Sequence, residues 1–310
     1  MQETINQKMS VTHAPRLIVS LTTERITVIL TTSASSLTRF QSCELSHYYA
    51  KVEGLGLVER PVYLDRGTLI HLLLEAHYNY IKNNQENHAG AIPYLELVEN
   101  VCAQAGLMAV NKTQLAINNT DLIRETVEVY RKYAMFYAGE SYKTIAVEQP
   151  FSFVAYEDDE DKVLVEGRID WVPETISGEI LIVDHKSVTK KGYYTSLSNQ
   201  LRIYAMVTGC TTVTINEIGF QKSPEFRRIS VSYMPGQIEE FRDNILRKWA
   251  IKLLAKAKKD QVEKNFIPNP SSCKFCDYRP ICESSESARA WKKSQLYIAA
   301  PTNFDVFGDE

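Results

Sequence analysis

The chain has 310 residues, 44% of them hydrophobic, which suffices to bury the core of one large domain or two small ones. Its 35 Lys and Arg residues against 38 Asp and Glu residues give a net charge of −3, so any contact with a polyanion has to be local. No apolar stretch is long enough for a transmembrane helix, and the N-terminal sequence lacks the pattern of a secretory signal. We therefore expect a cytoplasmic protein, in which clustered cysteines more often bind metal than form disulfides.

The first part of the chain predicts mainly helices. A short strand is expected over residues 26–31, and the segment SASSLTRF that begins at Ser33 is typical of a helix N-terminus. The run RGTLIHLLLEAHYNY, residues 66–80, predicts a buried helix. After the polar loop NNQENHAG, two more helices are expected at residues 93–107 and 120–138, separated by the turn-rich NKTQLAINNTD.

The second part of the chain predicts a sheet interrupted by helices. Strands are expected where apolar and polar residues alternate, at residues 144–155, 163–172, 179–188, 212–221 and 227–234. The first three would form an antiparallel meander. Helices are expected over residues 196–207 and 238–265, and the second of these is basic in its later half. This order predicts an α/β or α+β domain with a central mixed sheet flanked by helices.

Two of these strands carry a carboxylate and lysine set that predicts a metal site. Residues two apart on a strand share a face, so Asp184 and Lys186 of IVDHKS point the same way, and pairing with VLVEGRIDWV would bring Asp170 beside them. Crowded carboxylates repel unless a hard cation such as Mg²⁺ or Mn²⁺ neutralises them. A lysine beside the cation can orient an attacking water and stabilise charge on phosphorus, as phosphodiester hydrolysis requires. The alternative is a surface strand whose charges form salt bridges.

A second ligand set lies in the segment CKFCDYRPIC. Cys273, Cys276 and Cys282 supply three thiols there, and either Zn²⁺ or an iron–sulfur cluster would require a fourth ligand. Cys102 and Cys210 lie in apolar surroundings, which predicts that both are small core residues.

Five stretches of the sequence resemble the PD-(D/E)XK nuclease superfamily, in particular its RecB-like iron–sulfur branch. They are RGTLIH, VEGRID, IVDHKS, QLRIY and the cysteine set. The resemblance implies a restriction-endonuclease-like core within a single nuclease domain at residues 33–282, with a helical insertion at about residues 81–140. Residues 1–32 would be an N-terminal extension without an assigned role, and residues 283–310 a C-terminal tail.

The resemblance also implies roles for individual residues. Those expected to bind Mg²⁺ or Mn²⁺ are His71, Asp170, Asp184, the backbone carbonyl of His185, and Glu148. Asp170 and Asp184 would thereby also be catalytic, and Lys186 takes the place of the family's lysine. Gln200 and Tyr204 match its Q-x-x-x-Y motif; they share one helix face and would either reach the substrate or support the lysine.

In the iron–sulfur branch a remote cysteine precedes the catalytic histidine. Cys43, in SSLTRFQSCE, matches that position, with Glu44 where the family commonly has proline. The resemblance therefore implies a [4Fe–4S] cluster bound by Cys43, Cys273, Cys276 and Cys282. This iron–sulfur clasp would join the N- and C-terminal parts of the domain, and Zn²⁺ is the alternative occupant.

The predicted function is a Mg²⁺- or Mn²⁺-dependent deoxyribonuclease. Similarity to the CRISPR-associated iron–sulfur exonuclease and to the AddB nuclease domain implies an exonuclease that acts on single strands or DNA ends in recombination, repair, or phage or CRISPR DNA processing. A recombination, helicase or CRISPR-type protein is the expected partner, and the host cytoplasm is the expected location if the gene is phage-borne. One alternative is a DNA-binding or assembly subunit with a dispensable nuclease site, and another is a zinc-stapled structural protein.

Local DNA contacts are expected from basic and aromatic residues near the lysine strand and from other basic segments. The candidates are Lys190, Lys191, Tyr193 and Arg202, with further basic residues at 222–228 and 252–259.

Overall fold

The computed structural model describes residues 18–22, 25–59, 61–85, 93–112, 120–192, 194–259 and 262–299. The chain forms two compact units. Unit 1 comprises the described parts of residues 1–60, 151–167 and 236–310, and unit 2 comprises those of residues 61–150 and 168–235. No helix in the described ranges is both long and apolar enough to cross a membrane.

Helices and strands occur in groups along the chain. The helices are α1 (Ala34–Ser42), α2 (Glu44–His47), α3 (Val62–Gln85), α4 (Tyr94–Lys112), α5 (Thr120–Phe136), α6 (Asn199–Thr208), α7 (Pro235–Glu240), α8 (Arg247–Ala257), α9 (Arg279–Cys282) and α10 (Glu286–Leu296). Two π-helical segments follow α2 and α7, at Tyr48–Val52 and Phe241–Leu246, and two 3₁₀ segments lie at Glu263–Asn265 and Pro270–Phe275.

The strands form a mixed sheet and a separate two-stranded sheet. They are β1 (Ile18–Thr22), β2 (Arg25–Ser33), β3 (Leu55–Leu57), β4 (Lys143–Glu157), β5 (Asp161–Glu174), β6 (Ile182–Val188), β7 (Thr212–Gly219), β8 (Phe226–Ser232) and β9 (Tyr297–Ala299). The mixed sheet has the order β1-β2-β5-β6-β7-β8, with β4 also paired to β5, and β3 pairs with β9. The β2–β5 and β6–β7 pairs are parallel, whereas the β1–β2, β5–β6 and β7–β8 pairs are antiparallel. A central mixed sheet flanked by helices was predicted, and the structure has one.

Unit 2 buries the apolar faces of α3, α4 and α5 in one core. Sheet residues Trp171, Val183 and Ile218 belong to the same core, and each is at most 2% exposed. The indole of Trp171 stacks on the Tyr78 ring from α3, with 4.0 Å between the ring centroids. The apolar run of residues 66–80 therefore forms a buried helix, as predicted, because its side chains pack against helices and sheet.

Unit 1 is held together by apolar and charged contacts. One apolar cluster of this unit surrounds Cys43 and contains several aromatic side chains, namely Tyr48, Tyr49, Phe266, Tyr278 and Tyr297. Glu44 is only 5% exposed, and its carboxylate lies 2.6 Å from Lys252 Nζ and 2.9 Å from Lys256 Nζ. Burial raises the pKa of Glu44, but the hydrogen bonds from the two lysines outweigh burial and leave this pKa below its ordinary value.

The helix N-terminus predicted at Ser33 is confirmed, and the structure adds a glycine cap at the end of α6. The Ser33 side chain accepts a hydrogen bond of 3.1 Å from the backbone N–H of Ser36 and so begins α1. At the end of α6, Gly209 has φ +71°, a left-handed conformation that glycine adopts without a steric penalty.

The prediction of one helix over residues 238–265 is wrong. The helical segment begins at Pro235 and ends at Ala257, and residues 263–265 form a separate 3₁₀ turn. Proline is well tolerated in the first turn of a helix, which accounts for the earlier start. The loop NNQENHAG beyond residue 85 and most of the turn before residue 120 lie outside the described residues. Part of the predicted N-terminal extension is strand β2, and the predicted C-terminal tail contains α10 and β9.

Candidate active site

The two predicted aspartates lie beside the point where β5 and β6 pair in unit 2. Trp171 and Val183 are partners across these antiparallel strands, and Asp170 and Asp184 are the adjacent residues. Asp170 is 9% exposed and Asp184 is 1% exposed. The sheet thus buries two carboxylates close together, as the alternation of residues on the strands predicted.

His71 reaches this point from α3. Gly67 lies one turn earlier, and a Cβ atom added to it would lie 3.2 Å from Ser187 Oγ, so the glycine allows α3 to come close to β6. The Nε2 atom of His71 is 3.0 Å from the carbonyl oxygen of His185, and its Nδ1 atom is 3.7 Å from Asp170 Oδ2. Since a carbonyl only accepts hydrogen bonds, Nε2 carries a proton, and in the neutral ring the Nδ1 lone pair faces the carboxylate.

Glu148 completes a set of three cation ligands. Its carboxylate, one ring nitrogen of His71 and a carboxylate oxygen of Asp170 lie within 4.8 Å of one another. Glu148 lies within β4 with φ +48°, a left-handed conformation that costs a residue with a Cβ about 1–2 kcal/mol. Among the described residues, no other group of three His, Cys, Asp or Glu side chains is placed in this way.

Asp184 belongs to a second set, centred on Lys186. The lysine Nζ lies 2.7 Å from Asp184 Oδ2 and donates a 3.0 Å hydrogen bond to Gln200 Oε1. Gln200 Nε2 donates to Tyr204 Oη at 2.9 Å, and the Tyr204 hydroxyl donates to the carbonyl of Arg168 at 2.8 Å. In the structure, therefore, Gln200 and Tyr204 support the lysine, which is one of the two roles that the sequence left open.

Burial and charge act in opposite directions on this pair. Burial raises the pKa of Asp184, and the neighbouring Lys186 does not fully offset that effect. Burial also lowers the pKa of Lys186, but Asp184 outweighs it and holds this pKa above its ordinary value. The lysine is therefore positively charged at neutral pH.

The residues present fit a divalent cation. Two carboxylates and an imidazole are ligands that Mg²⁺ or Mn²⁺ accepts, and they are already close together. Asp184 Oδ1 is buried and has no hydrogen-bond partner in the described part of the chain, which is costly unless a cation or an ordered water compensates it. His185 donates its backbone N–H to Asp170 Oδ2 at 2.6 Å, which orients that ligand.

The residues predicted to contact DNA differ in their exposure to solvent. Arg202 is 8% exposed, and its guanidinium donates to the carbonyl of Leu197 and to Asn199 Oδ1, so little of it is accessible to a phosphate. Lys190 is exposed, whereas Lys191 pairs with Glu225 at 2.9 Å. Tyr193 lies outside the described residues.

The other basic segments are also largely engaged within the protein. Arg227 pairs with Glu217 at 2.7 Å, and Arg228 pairs with Glu140 at 2.6 Å. On α8, Lys252 and Lys256 bind Glu44. These cations stabilise the fold and are less available to phosphates than the sequence indicated.

The four cysteines of the predicted clasp lie in unit 1. Cys43 is part of the apolar cluster there, and Cys276 and Cys282 pack against it. Burial, together with the neighbouring Cys276, Cys43 and Cys273, raises the pKa of Cys282 to about 11. The Cys43 sulfur also accepts a hydrogen bond of 3.4 Å from a backbone N–H, that of Asn269.

The spacing of these thiols is wider than a closed zinc site requires. A tetrahedral Zn²⁺ site with Zn–S distances of about 2.3 Å places its sulfurs about 3.8 Å apart. In the described ranges, which contain all six cysteines, no three sulfurs lie within 4.8 Å of one another. Cys102 and Cys210 are partly buried, and Cys102 packs against the apolar core of unit 2, as predicted.

The fold and site together define a mixed α/β protein with a candidate divalent-cation site beside a charged lysine. The chain belongs to the PD-(D/E)XK nuclease superfamily, whose family model matches residues 31–283. Two solved structures are similar over most of their own length. SSO0001 has a TM-score of 0.33 and 12% identity, covering 66% of this chain and 94% of that one. A protein from Eubacterium rectale, provisionally described as an exonuclease, has a TM-score of 0.42 and 15% identity, covering 82% and 88%. No curated protein matches the sequence.

Proposed function

We propose that this protein is a DNA nuclease that hydrolyses phosphodiester bonds with the help of Mg²⁺ or Mn²⁺. The proposal rests mainly on one observation: the same unit contains a charged lysine and three side chains that lie close enough together to bind one cation. Lys186 is fixed by Asp184 and Gln200, and the ligands of the cation, His71, Glu148 and Asp170, lie in the same unit. Membership of the PD-(D/E)XK superfamily supports the same reaction class.

In this proposal each side chain has a defined task. His71, Glu148 and Asp170 hold the cation, and Asp184 contributes Oδ1 to it. When bound, the cation lowers the pKa of water and polarises the phosphoryl oxygens. Lys186 stabilises the negative charge that develops on the phosphate, and its compact ammonium group suits that role. Gln200 and Tyr204 hold the lysine in place.

We further propose that the substrate is single-stranded DNA or a DNA end, cut exonucleolytically in recombination, repair, or phage or CRISPR DNA processing. The support is the resemblance to the RecB-like branch and the exposed Lys190, which follows the lysine strand and can bind a phosphate. A helicase, recombination or CRISPR-type protein is the partner that this branch implies.

Hydrolysis of labelled DNA by a lysine variant tests the nuclease proposal. Purified wild-type protein should degrade end-labelled single strands with Mn²⁺, and Lys186→Ala should lower the rate by about 10²–10³-fold, because a positioned charge near the reacting phosphate is lost. Lys82→Ala removes an exposed lysine of α3 and serves as the matched control. Equal rates for Lys186→Ala and wild type would instead favour a DNA-binding or assembly subunit with a dispensable site.

We also propose that Cys43, Cys273, Cys276 and Cys282 bind a [4Fe–4S] cluster. Four thiols are a suitable donor set, and their spacing is wider than a tetrahedral zinc site needs, whereas a cluster binds each thiol to a separate iron. Anaerobically purified protein should contain about four irons per chain and absorb broadly in the visible range. Zinc without iron would assign the thiols to the structural alternative.

A further inference from the structure

The backbone of His185 lies between two of the proposed cation ligands. Its N–H donates to Asp170 Oδ2 at 2.6 Å, and its carbonyl oxygen accepts from His71 Nε2 at 3.0 Å. A small displacement of this one peptide segment would therefore move both ligands relative to each other.

The side chain of His185 lies in the core of unit 2, where its ring meets that of His71 edge to face with 5.8 Å between the centroids. Strand alternation places it on the face opposite Asp184 and Lys186. The ring is nearly parallel to that of Tyr78, with 5.8 Å between centroids and an angle of 10° between the planes. His185 is 3% exposed, so the ring is held by its neighbours on the core side.

Asn216 fixes the His185 ring by hydrogen bonding. The two residues are partners in the parallel pairing of β6 with β7, and Asn216 Nδ2 lies 2.8 Å from His185 Nδ1. The same amide nitrogen donates a 2.7 Å hydrogen bond to Tyr133 Oη on α5, and the Tyr133 hydroxyl is 2.7 Å from that of Tyr78. None of these side chains is more than 5% exposed, so water does not compete for the hydrogen bonds.

We propose that Asn216 and Tyr133 are positioning residues for the cation site. They hold the His185 ring, and the ring in turn fixes the backbone groups that orient Asp170 and His71. Lys186 is held separately, by Gln200 and Tyr204. Loss of Asn216 or Tyr133 should therefore weaken cation binding without displacing the positive charge of the lysine. The inference rests on the proposed function, because it assigns these residues to the same cation site.

Two tyrosines of α5 provide a matched pair of variants. Tyr133 and Tyr130 are both fully buried, and each hydroxyl makes a short hydrogen bond, Tyr133 to Asn216 and Tyr130 to His77 at 2.8 Å. Replacing either by Phe removes one buried hydroxyl and should lower stability, more so for Tyr133, whose hydroxyl also lies 2.7 Å from that of Tyr78. Only Tyr133→Phe removes a support of the His185 ring.

The test is calorimetric titration of the DNA-free full chain with Mn²⁺. Tyr133→Phe and Asn216→Ala should weaken Mn²⁺ binding by about tenfold, as expected for groups that orient metal ligands, and Tyr130→Phe should bind within about twofold of wild type. At saturating Mn²⁺, the DNA-hydrolysis rate of Tyr133→Phe should return to near the wild-type value. Equal Mn²⁺ affinity for the two tyrosine variants would overturn the inference, even if Asn216→Ala fails to fold.

The same titration separates this inference from the proposed function. If wild type binds Mn²⁺ and Tyr133→Phe binds it more weakly, but no DNA is hydrolysed, the positioning role stands and the nuclease proposal fails. If wild type binds no Mn²⁺, both are wrong.

Discussion

The two candidate ligand sites of this chain differ in how close together their ligand atoms already lie. In unit 2 the groups suited to a hard cation, His71, Glu148 and Asp170, already lie within 4.8 Å of one another. In unit 1, no three of the described thiols lie that close to one another. Two features of the site in unit 2 are energetically unfavourable in the absence of a cation. They are a buried oxygen of Asp184 without a hydrogen-bond partner and a left-handed backbone at Glu148.

The surroundings of the thiols are stabilised without any metal. The carbonyl of Ser42 accepts hydrogen bonds of 2.8 Å from both Asn269 and Ser272, and Glu44 binds two lysines of α8. Hydrogen bonds and ion pairs of the protein therefore connect segments more than two hundred residues apart in the sequence. Removing a cation ligand in unit 2 should therefore lower activity. Removing a thiol in unit 1 should lower stability, but only in part, because these polar contacts remain.

The largest effect is expected from Asp184→Asn. We expect DNA hydrolysis to fall by at least about 10³-fold, since a cation contributes several kcal/mol to such a reaction. Stability should equal or exceed that of wild type, because burial disfavours the charged carboxylate by more than its pairing with Lys186 compensates. Urea unfolding checks the second point, and a clear loss of stability would show that this site is structural.

A cysteine variant should have the opposite pattern. In metal-loaded protein, Cys282→Ser should lower the iron content and reduce the unfolding temperature by about 5 °C, corresponding to about 2 kcal/mol. Cys210→Ser, at a cysteine outside the proposed set, is the control and should retain the iron. Mn²⁺ affinity should be the same in both variants, and complete unfolding of Cys282→Ser would contradict the view that polar contacts already join these segments.

A smaller effect is expected from Glu44 as the pH is lowered. Its folded-state pKa lies below the ordinary value of 4.5, so its ionic contribution to stability is present above that value and is lost as pH falls through the folded pKa. Glu44→Gln should cost about 1–2 kcal/mol at pH 7, and the gap to wild type should close between about pH 5 and pH 3. The test is to measure the unfolding free energies of wild type and Glu44→Gln across this pH range. A difference between them that does not change with pH would exclude the ion pairs as its cause.

The smallest expected effect concerns the backbone at Glu148. Both Glu148→Gly and Glu148→Ala remove the carboxylate and should weaken Mn²⁺ binding, but only glycine relieves the left-handed conformation. Glu148→Gly should therefore be more stable than Glu148→Ala by about 1 kcal/mol in chemical unfolding. An equal stability of the two variants would mean that the conformation is not strained.

The parts of the molecule that depend on local sequence were predictable. The N-terminal cap at Ser33 and the shared face of Asp184 and Lys186 follow from rules that involve a few neighbouring residues. His71 was found by its resemblance to a family motif, since a histidine in an apolar helix gives no signal of its own.

The remaining features depend on tertiary contacts that no local pattern contains. Arg202 was predicted to contact DNA, but the fold leaves it only 8% exposed, with its guanidinium bonded to Leu197 and Asn199. Asn216 and Tyr133 could not be linked to the site from sequence, because their roles require the pairing of β7 with β6 and the docking of α5. The left-handed backbone of Glu148 likewise has no sequence signal, since glutamate is not a residue that favours it.

The central claim is that the cation site of unit 2 cuts DNA, and the most direct test is metal-dependent hydrolysis by Asp170→Ala. Wild-type protein should release nucleotides from end-labelled single strands when Mn²⁺ is added and should stop when the metal is chelated. Asp170→Ala should bind the same DNA but release no nucleotides at any Mn²⁺ concentration at which wild type is active. Hydrolysis by the variant at the wild-type rate, or by wild type after complete chelation, would contradict the account.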